Sequence, residues 1–139
     1  MSQLGILYQT PASLKPSPNN PRTHSKSQQK QIAESIRAFG FVNPVLIDEQ
    51  NVIIAGHGRL LAAKDLSLTE VPTIVLRGLS EAQKSALRIA DNKIALNAGW
   101  DIDLLQVELE TIQTLDSGFT LESTGFSIGE IDVILNETS

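Results

Sequence analysis

The stretch NVIIAGHGRLLAAKDL, residues 51–66, decides the fold. Its aliphatic run indicates a buried strand, and the residues after Arg59 indicate a helix, which we expect over Leu60–Leu66. The segment Gly56–Arg59 (Gly-His-Gly-Arg) is therefore predicted to be a strand-to-helix turn. Two interpretations stay open on these residues alone, an anion-binding turn and a plain tight turn.

The chemistry of an anion-binding turn would come from the backbone as much as from side chains. The first amides of a helix have no partner within it and carry partial positive charge, so an anion placed there meets donors and a favourable field. Gly56 and Gly58 would let the backbone approach closely, His57 would line the turn, and Arg59 would add a charge-assisted contact. A dinucleotide-binding fingerprint is excluded because Leu61 replaces its third glycine, and no P-loop is present.

Outward from this turn, the sequence predicts a small sheet. The aliphatic runs at 44–48 and 52–55, separated by turn-prone residues, predict a pair of strands, and VPTIVL at 71–76 predicts a third. The proline-rich stretch 1–21 indicates an arm or loop with a short strand at Ile6–Tyr8. A helix is expected after it, with Ser25 or Ser27 as its N-cap and Gly40 at its end.

Downstream of the third strand, helix signals follow one another. Ser80 and Gln83 form a capping box that opens a helix to about Asn97, and Asp101 caps the next helix. Ser127 and Glu130 form a second capping box, in the segment 126–137, which opens the last helix. The pattern predicts an α+β domain with a helical C-terminal extension. We divide the chain into an N-terminal arm (1–15), a domain (16–97) and the extension (98–139).

Charge and composition exclude several classes of function. The net charge is −5, yet residues 1–40 hold five basic residues against one acidic, whereas residues 101–139 hold no Lys or Arg. The basic end predicts weak, non-specific DNA contact through Lys15, Arg22, Lys26 and Lys30. The absence of cysteine excludes disulfides and thiol catalysis. No run is long enough to span a membrane, so a cytoplasmic protein is expected.

Two further segments carry polar residues that could serve a site. NNPRTHS (19–25) offers Asn20 and Arg22, as part of a site or as a capping loop. In IADNKIA (89–95), Asp91 and Asn92 interrupt an apolar helical pattern; they mark a helix end or supply oxygen ligands to magnesium, which takes one or two protein groups beside a phosphate.

Other chemistries lack a local signature. The two histidines, His24 and His57, lie far apart in sequence, so a zinc site would need carboxylates that the pattern does not identify. No Ser-His-Asp arrangement stands out, and no catalytic residue is assigned. Trp100 is expected to be a core or interface anchor rather than a base-stacking platform.

Four segments together resemble the N-terminal domain of the ParB family, within the ParB/sulfiredoxin-like superfamily. They are NNPR, IAESIRAFGFVNPVLID, VIIAGHGRLLAAKDLSLTEVP and RIADNKIA, and the resemblance covers residues 16–97. The sequence is most similar to ParB-like domains associated with DNA-modification methyltransferases, whose GWDIDLL and TGFSIGEIDVIL segments it also resembles. This resemblance implies a small mixed sheet with packed helices.

The resemblance also implies a site. In partition ParB proteins the second motif, Gly-Glu-Arg-Arg, binds the triphosphate of CTP, and Gly56 and Arg59 match its first and last letters. His57 and Gly58 stand where those proteins have Glu and the first Arg. Asp91 and Asn92 resemble the third motif, which lies near magnesium. Sulfiredoxins have Gly-Cys-His-Arg at this turn, and without a cysteine their chemistry is excluded.

We therefore expect a non-catalytic module that binds a nucleoside triphosphate, CTP or ATP, with magnesium, and that acts in DNA transactions. Its expected partners are DNA, a DNA methyltransferase domain or protein, and a second copy in a homodimer. One alternative is a kinase-like or nuclease-like enzyme using the same pocket. Another is an interaction module whose pocket has decayed and whose acidic helices from 101 onward meet a partner.

Overall fold

The computed structural model describes residues 4–18, 25–97, 99–115 and 121–136. Four short strands form one mixed sheet in the order β1-β4-β2-β3. The strands are β1 (Leu7–Gln9), β2 (Val45–Ile47), β3 (Ile53–Ala55) and β4 (Val71–Val75). β2 runs parallel to β4, and the outer pairs β1–β4 and β2–β3 are antiparallel. The first strand lies one residue later than the sequence indicated.

Five helices accompany this sheet in the described part of the chain, and two of them, α2 and α3, pack directly against its strands. They are α1 (Lys26–Phe39), α2 (His57–Asp65), α3 (Glu81–Asn97), α4 (Ile102–Leu115) and α5 (Ile128–Asn136). Ser25 caps α1 and Gly40 ends it, as predicted. The α+β class with a small mixed sheet is thus confirmed. None of the described helices combines the length and apolar character that crossing a bilayer requires.

The predicted start of α2 is wrong by three residues. The helix begins at His57, so the segment predicted as a turn supplies its N-cap and first helical turn. The reason is Gly56, which adopts the left-handed conformation with φ 109° and ψ 20°. This conformation, which glycine adopts without strain, reverses the chain within one residue of β3 and leaves no room for a longer turn.

The interpretation of Asp91 and Asn92 as a helix end is also wrong. α3 continues through both residues to Asn97. The Asn92 side-chain amide donates a hydrogen bond to the Arg88 carbonyl oxygen at 2.9 Å, four residues earlier. Its side chain is thereby occupied along the helix instead of competing for the backbone in a way that would stop it.

The core lies between the sheet and α2. Val45, Ile47, Ile53 and Val71 from three strands pack with Leu60 and neighbouring residues of one buried cluster. In the extension α4 packs against α5, and Leu109 of α4 and Ile131 of α5 are buried. Trp100 is exposed, and its ring centroid lies 5.3 Å from that of Phe126. Trp100 therefore does not lie in the core, and the alternative of an interface anchor stays a prediction.

Candidate functional site

A cavity of about 380 Å³ lies where β3 ends and α2 begins. Its walls come from α1, from the 40–43 loop, from the junction of β3 and α2, from α3, and from the short 3₁₀ turn Leu121–Thr124 with the glycine that follows. All four residues of Gly56–Arg59 line it, together with Asp91 and Asn92. The structure therefore brings the second and third sequence motifs to one place.

Gly56 fits the floor of this cavity tightly. A Cβ atom built on it would lie 3.1 Å from Arg59 Nη2 and 3.3 Å from the Cα atom of Val45. Together with φ of +109°, this close approach leaves no place for a larger residue. The backbone at the start of α2 thus forms a cradle in which an anion can approach the first helical amides.

Arg59 and His57 are held by backbone groups around the cradle. Arg59 Nη2 donates to the Pro44 carbonyl oxygen at 3.1 Å, which holds the guanidinium against the loop before β2. The backbone amide of Ser17 donates to His57 Nε2 at 3.0 Å. A ring nitrogen that accepts a hydrogen bond is unprotonated, so this contact favours neutral His57 with its proton on Nδ1.

Asp91 and Asn92 face the cavity from the later turns of α3. Asn92 is half-buried and Asp91 is exposed. Their side chains offer oxygen ligands beside the cradle, which suits a hydrated magnesium ion that needs only one or two protein groups. Among the described residues, no group of three or more His, Cys, Asp or Glu side chains could hold a metal by itself.

The remaining predicted residues lie apart from this centre or outside the described ranges. Asn20 and Arg22 belong to residues 19–24, which the structure does not describe. Lys26 and Lys30 are exposed on the first two turns of α1. Lys15 is exposed beside β3, where it forms an isolated parallel bridge with Val52.

Sequence reasoning missed three buried charged residues: Asp48, Lys84 and Arg88. Lys84 Nζ lies 3.0 Å from Asp48 Oδ2 and both side chains are buried. Asp48 Oδ1 also accepts hydrogen bonds from the backbone amides of Gln50 and Val52, which shapes the turn between β2 and β3. The available signal was the four-residue spacing of Lys84, Arg88 and Asn92, which puts them on one helix face.

The Lys84–Asp48 pair shifts both pKa values toward the charged forms. Burial alone would raise the pKa of the Asp48 carboxyl, but hydrogen bonds from Val52, Lys84 and Gln50 outweigh burial and lower the pKa below 3.8. Hydrogen bonds to Asp48 and Glu81 raise the pKa of Lys84 above 10.5. The pair is therefore ionised at neutral pH.

Comparisons with known proteins agree with this architecture. ParB-like nuclease domain-containing protein YnaK of Escherichia coli K12 is 52% identical over 82 residues, which are 59% of this chain and 94% of that protein. Chromosome-partitioning protein Spo0J of Thermus thermophilus is 32% identical over 92 residues, which are 63% of this chain but 34% of Spo0J. This chain therefore spans about a third of that partition relative.

The fold is also similar to a solved structure. The C-terminally truncated chromosome-partitioning protein ParB of Caulobacter crescentus, complexed with CTP-γ-S, has a TM-score of 0.77 at 20% identity, covering 94% of this chain and 77% of that chain. A likeness at this identity shows the fold. The family model of the ParB N-terminal domain matches residues 5–93, which is more than half of the chain. The chain therefore belongs to the family of ParB N-terminal domains.

Proposed function

We propose that this ParB N-terminal domain binds the phosphates of a nucleoside triphosphate, CTP or ATP, and serves DNA transactions without catalysing a reaction itself. One observation carries the proposal. The left-handed Gly56, Arg59 and the Asp91–Asn92 pair line a single cavity. A volume of about 380 Å³ lies within the range of pockets that hold small ligands.

Each part of the cavity has a role in this proposal. The first amides of α2 meet phosphate oxygens, and Gly56 keeps the approach open. Arg59 supplies a fixed positive charge and several donors. Asp91 and Asn92 would hold magnesium, which bridges phosphate oxygens while keeping most of its waters. The Caulobacter relative's complex with CTP-γ-S supports a nucleotide in a domain of this fold.

Calorimetry with CTP, ATP and GTP in the presence of magnesium tests the proposal. Replacing Arg59 with Ala should remove a charge-assisted contact of roughly 1.5–3 kcal/mol, which weakens binding about ten- to a hundredfold. The matched control is Arg37→Ala, because Arg37 is exposed and pairs with Glu34 on α1. Unchanged binding in Arg59→Ala, or no binding by the parent protein, would refute a nucleotide site at Gly56–Arg59.

The magnesium part has its own test. If a bound ion bridges the nucleotide to Asp91 or Asn92, a chelator should weaken nucleotide binding to the parent protein. Asn92→Ala should bind more weakly and lose most of this sensitivity to the chelator. Equal chelator sensitivity in the two proteins would place the ion elsewhere.

DNA is the second ligand in this proposal. Lys15, Arg22, Lys26 and Lys30 would make weak contacts with phosphates, and the partition function of the Thermus relative supports a DNA role. A gel-shift titration at two salt concentrations should show binding that fades as salt rises, because released counterions drive it. Tight, salt-insensitive and site-specific binding would contradict this part.

The proposed protein partners are a DNA methyltransferase and a second copy of the chain. The methyltransferase rests on the resemblance of the GWDIDLL and TGFSIGEIDVIL segments, which lie in the extension. Light scattering during gel filtration, with and without nucleotide, measures the homodimer directly. A mass of one chain under both conditions would remove it from the proposal.

The second candidate function is an enzyme of the same superfamily. The printed name of the Escherichia coli relative includes a nuclease domain, and that relative is similar over nearly its whole length. Incubating this protein with ATP, CTP, magnesium and supercoiled plasmid separates the candidates. Any nucleotide or DNA product that Arg59→Ala fails to make would favour the enzyme.

A further inference from the structure

The charge of Arg88 has no counter-ion in the described part of the chain. The residue is 7% exposed. Its buried Nε atom has no hydrogen-bond partner among the described residues, and no salt bridge there includes it. An isolated buried charge is costly, and such a group calls for an explanation.

The internal acid on this side of the sheet is already occupied. Asp48 pairs with Lys84 and accepts two backbone hydrogen bonds. Lys84 lies one helical turn before Arg88 on the same face of α3. Of these two neighbouring buried cations, only Lys84 has an acidic partner among the described residues.

The position of Arg88 points to the source of a counter-ion. Asn92 lines the cavity, and its side chain donates to the Arg88 carbonyl oxygen at 2.9 Å. Arg88 is not one of the residues that line the cavity, but it lies one helical turn, about 6 Å along the helix axis, before Asn92, which does. α3 also packs against β3, which leads directly into Gly56.

We infer that Arg88 is a ligand-binding residue whose counter-ion is a phosphate group of the nucleotide in the cavity. The inference rests on the proposed function and adds a residue to it. On this inference Arg88 supplies a cation from α3 in addition to the guanidinium of Arg59.

The test compares Arg88→Met with the parent protein in two measurements. Methionine fills the buried space without charge, and apolar replacement of buried ionic groups is often neutral or stabilising. We expect the melting temperature of the ligand-free Arg88→Met protein to be unchanged or raised. Its affinity for inorganic tripolyphosphate and for CTP or ATP with magnesium should fall at least tenfold. Arg88→Lys, which keeps the charge, should lose less affinity than Arg88→Met.

The outcomes separate this inference from the proposed function. If the parent binds and Arg59→Ala binds weakly while Arg88→Met and Arg88→Lys bind like the parent, the nucleotide site stands and the role of Arg88 is refuted. If the parent binds neither tripolyphosphate nor nucleotides, both fall. If Arg88→Met does not fold, the neutral variant Arg88→Gln decides: normal stability with weaker binding supports the inference, and normal stability with unchanged binding overturns it. Arg37→Met, at an exposed site, is the control for charge removal.

Discussion

Two consecutive turns of α3 differ in the partners that the fold gives to a buried cation. At the start of the helix, Lys84 is paired with Asp48 and with Glu81. One turn later, Arg88 is equally buried, and the described residues give it no acidic partner. The difference indicates that residues on one face of α3 serve two purposes, attachment of the helix to the sheet and ligand binding. Lys84 on the first turn pairs with Asp48 after β2, and Asp91 and Asn92 on a later turn line the cavity.

The largest change in unfolding free energy should come from removing the ion pair between Lys84 and Asp48. Asp48→Ala leaves Lys84 buried without its main counter-ion and removes the acceptor for two backbone amides, so it should lower the free energy of unfolding by about 3–5 kcal/mol. Urea denaturation measures this. Glu34→Ala is the control, because it removes an exposed ion pair with Arg37 and should cost about 0–1 kcal/mol. Equal losses of unfolding free energy in the two variants would mean that the buried pair stabilises the fold no more than an exposed pair does.

The next largest change should come from Gly56, at the start of α2, where the backbone cradle lies beside the cavity that Asp91 and Asn92 also line. Gly56→Ala forces alanine into a left-handed conformation and brings its Cβ to 3.1 Å from Arg59 Nη2. We expect a loss of about 1–3 kcal/mol in unfolding free energy. Nucleotide binding should fall as well, because Arg59 must shift.

Gly78 provides the matched control for this substitution. Its φ is +74°, and a Cβ there would meet nothing within 4 Å. Gly78→Ala therefore carries the conformational strain without the close contact, and it should cost about 1–2 kcal/mol while leaving binding intact. If both alanine variants bind nucleotide like the parent, the close approach at Gly56 has no part in the site.

A smaller effect is the pH dependence of the stability that the Lys84–Asp48 pair contributes. The Asp48 pKa is lowered in the folded protein, so its contribution to stability is complete above about 3.8 and is lost as pH falls through the folded value. The Lys84 pKa is raised, so its contribution is complete below 10.5 and is lost as pH rises through the folded value. The stability difference between the parent and Asp48→Asn should be flat near neutral pH and shrink at both extremes. A difference independent of pH would contradict ionisation of the pair.

Local chemistry made much of the fold predictable. Capping residues act on the backbone within three residues, so the predicted starts of α3, α4 and α5 were confirmed by hydrogen bonds at Ser80, Asp101 and Ser127. The start of α2 was not predictable in this way. It depends on how closely Val45 approaches Gly56, which is a contact across the sheet.

The site was predictable only in part, for the same reason. Motif chemistry singled out Gly56–Arg59 and the Asp91–Asn92 pair, and the fold brings them to one cavity. The four-residue spacing of Lys84, Arg88 and Asn92 shows that they share a helix face, but not that this face is buried against the sheet. Burial is what makes the pairing of Lys84 and the isolation of Arg88 informative, and burial is decided by tertiary packing.

The smallest expected change in unfolding free energy comes from Ser80, which caps the start of α3 next to the Lys84–Asp48 pair. Its hydroxyl accepts a hydrogen bond from the Gln83 amide at 3.1 Å, and Gln83 Oε1 accepts from the Ser80 amide at 2.9 Å. Ser80→Ala should lower the free energy of unfolding by about 1 kcal/mol. It should leave nucleotide affinity unchanged, because Ser80 lies at the start of α3 and the residues that line the cavity lie on a later turn. Ser127→Ala removes the equivalent cap of α5 and serves as the control. Weaker nucleotide binding in Ser80→Ala alone would show that the two ends of α3 are coupled.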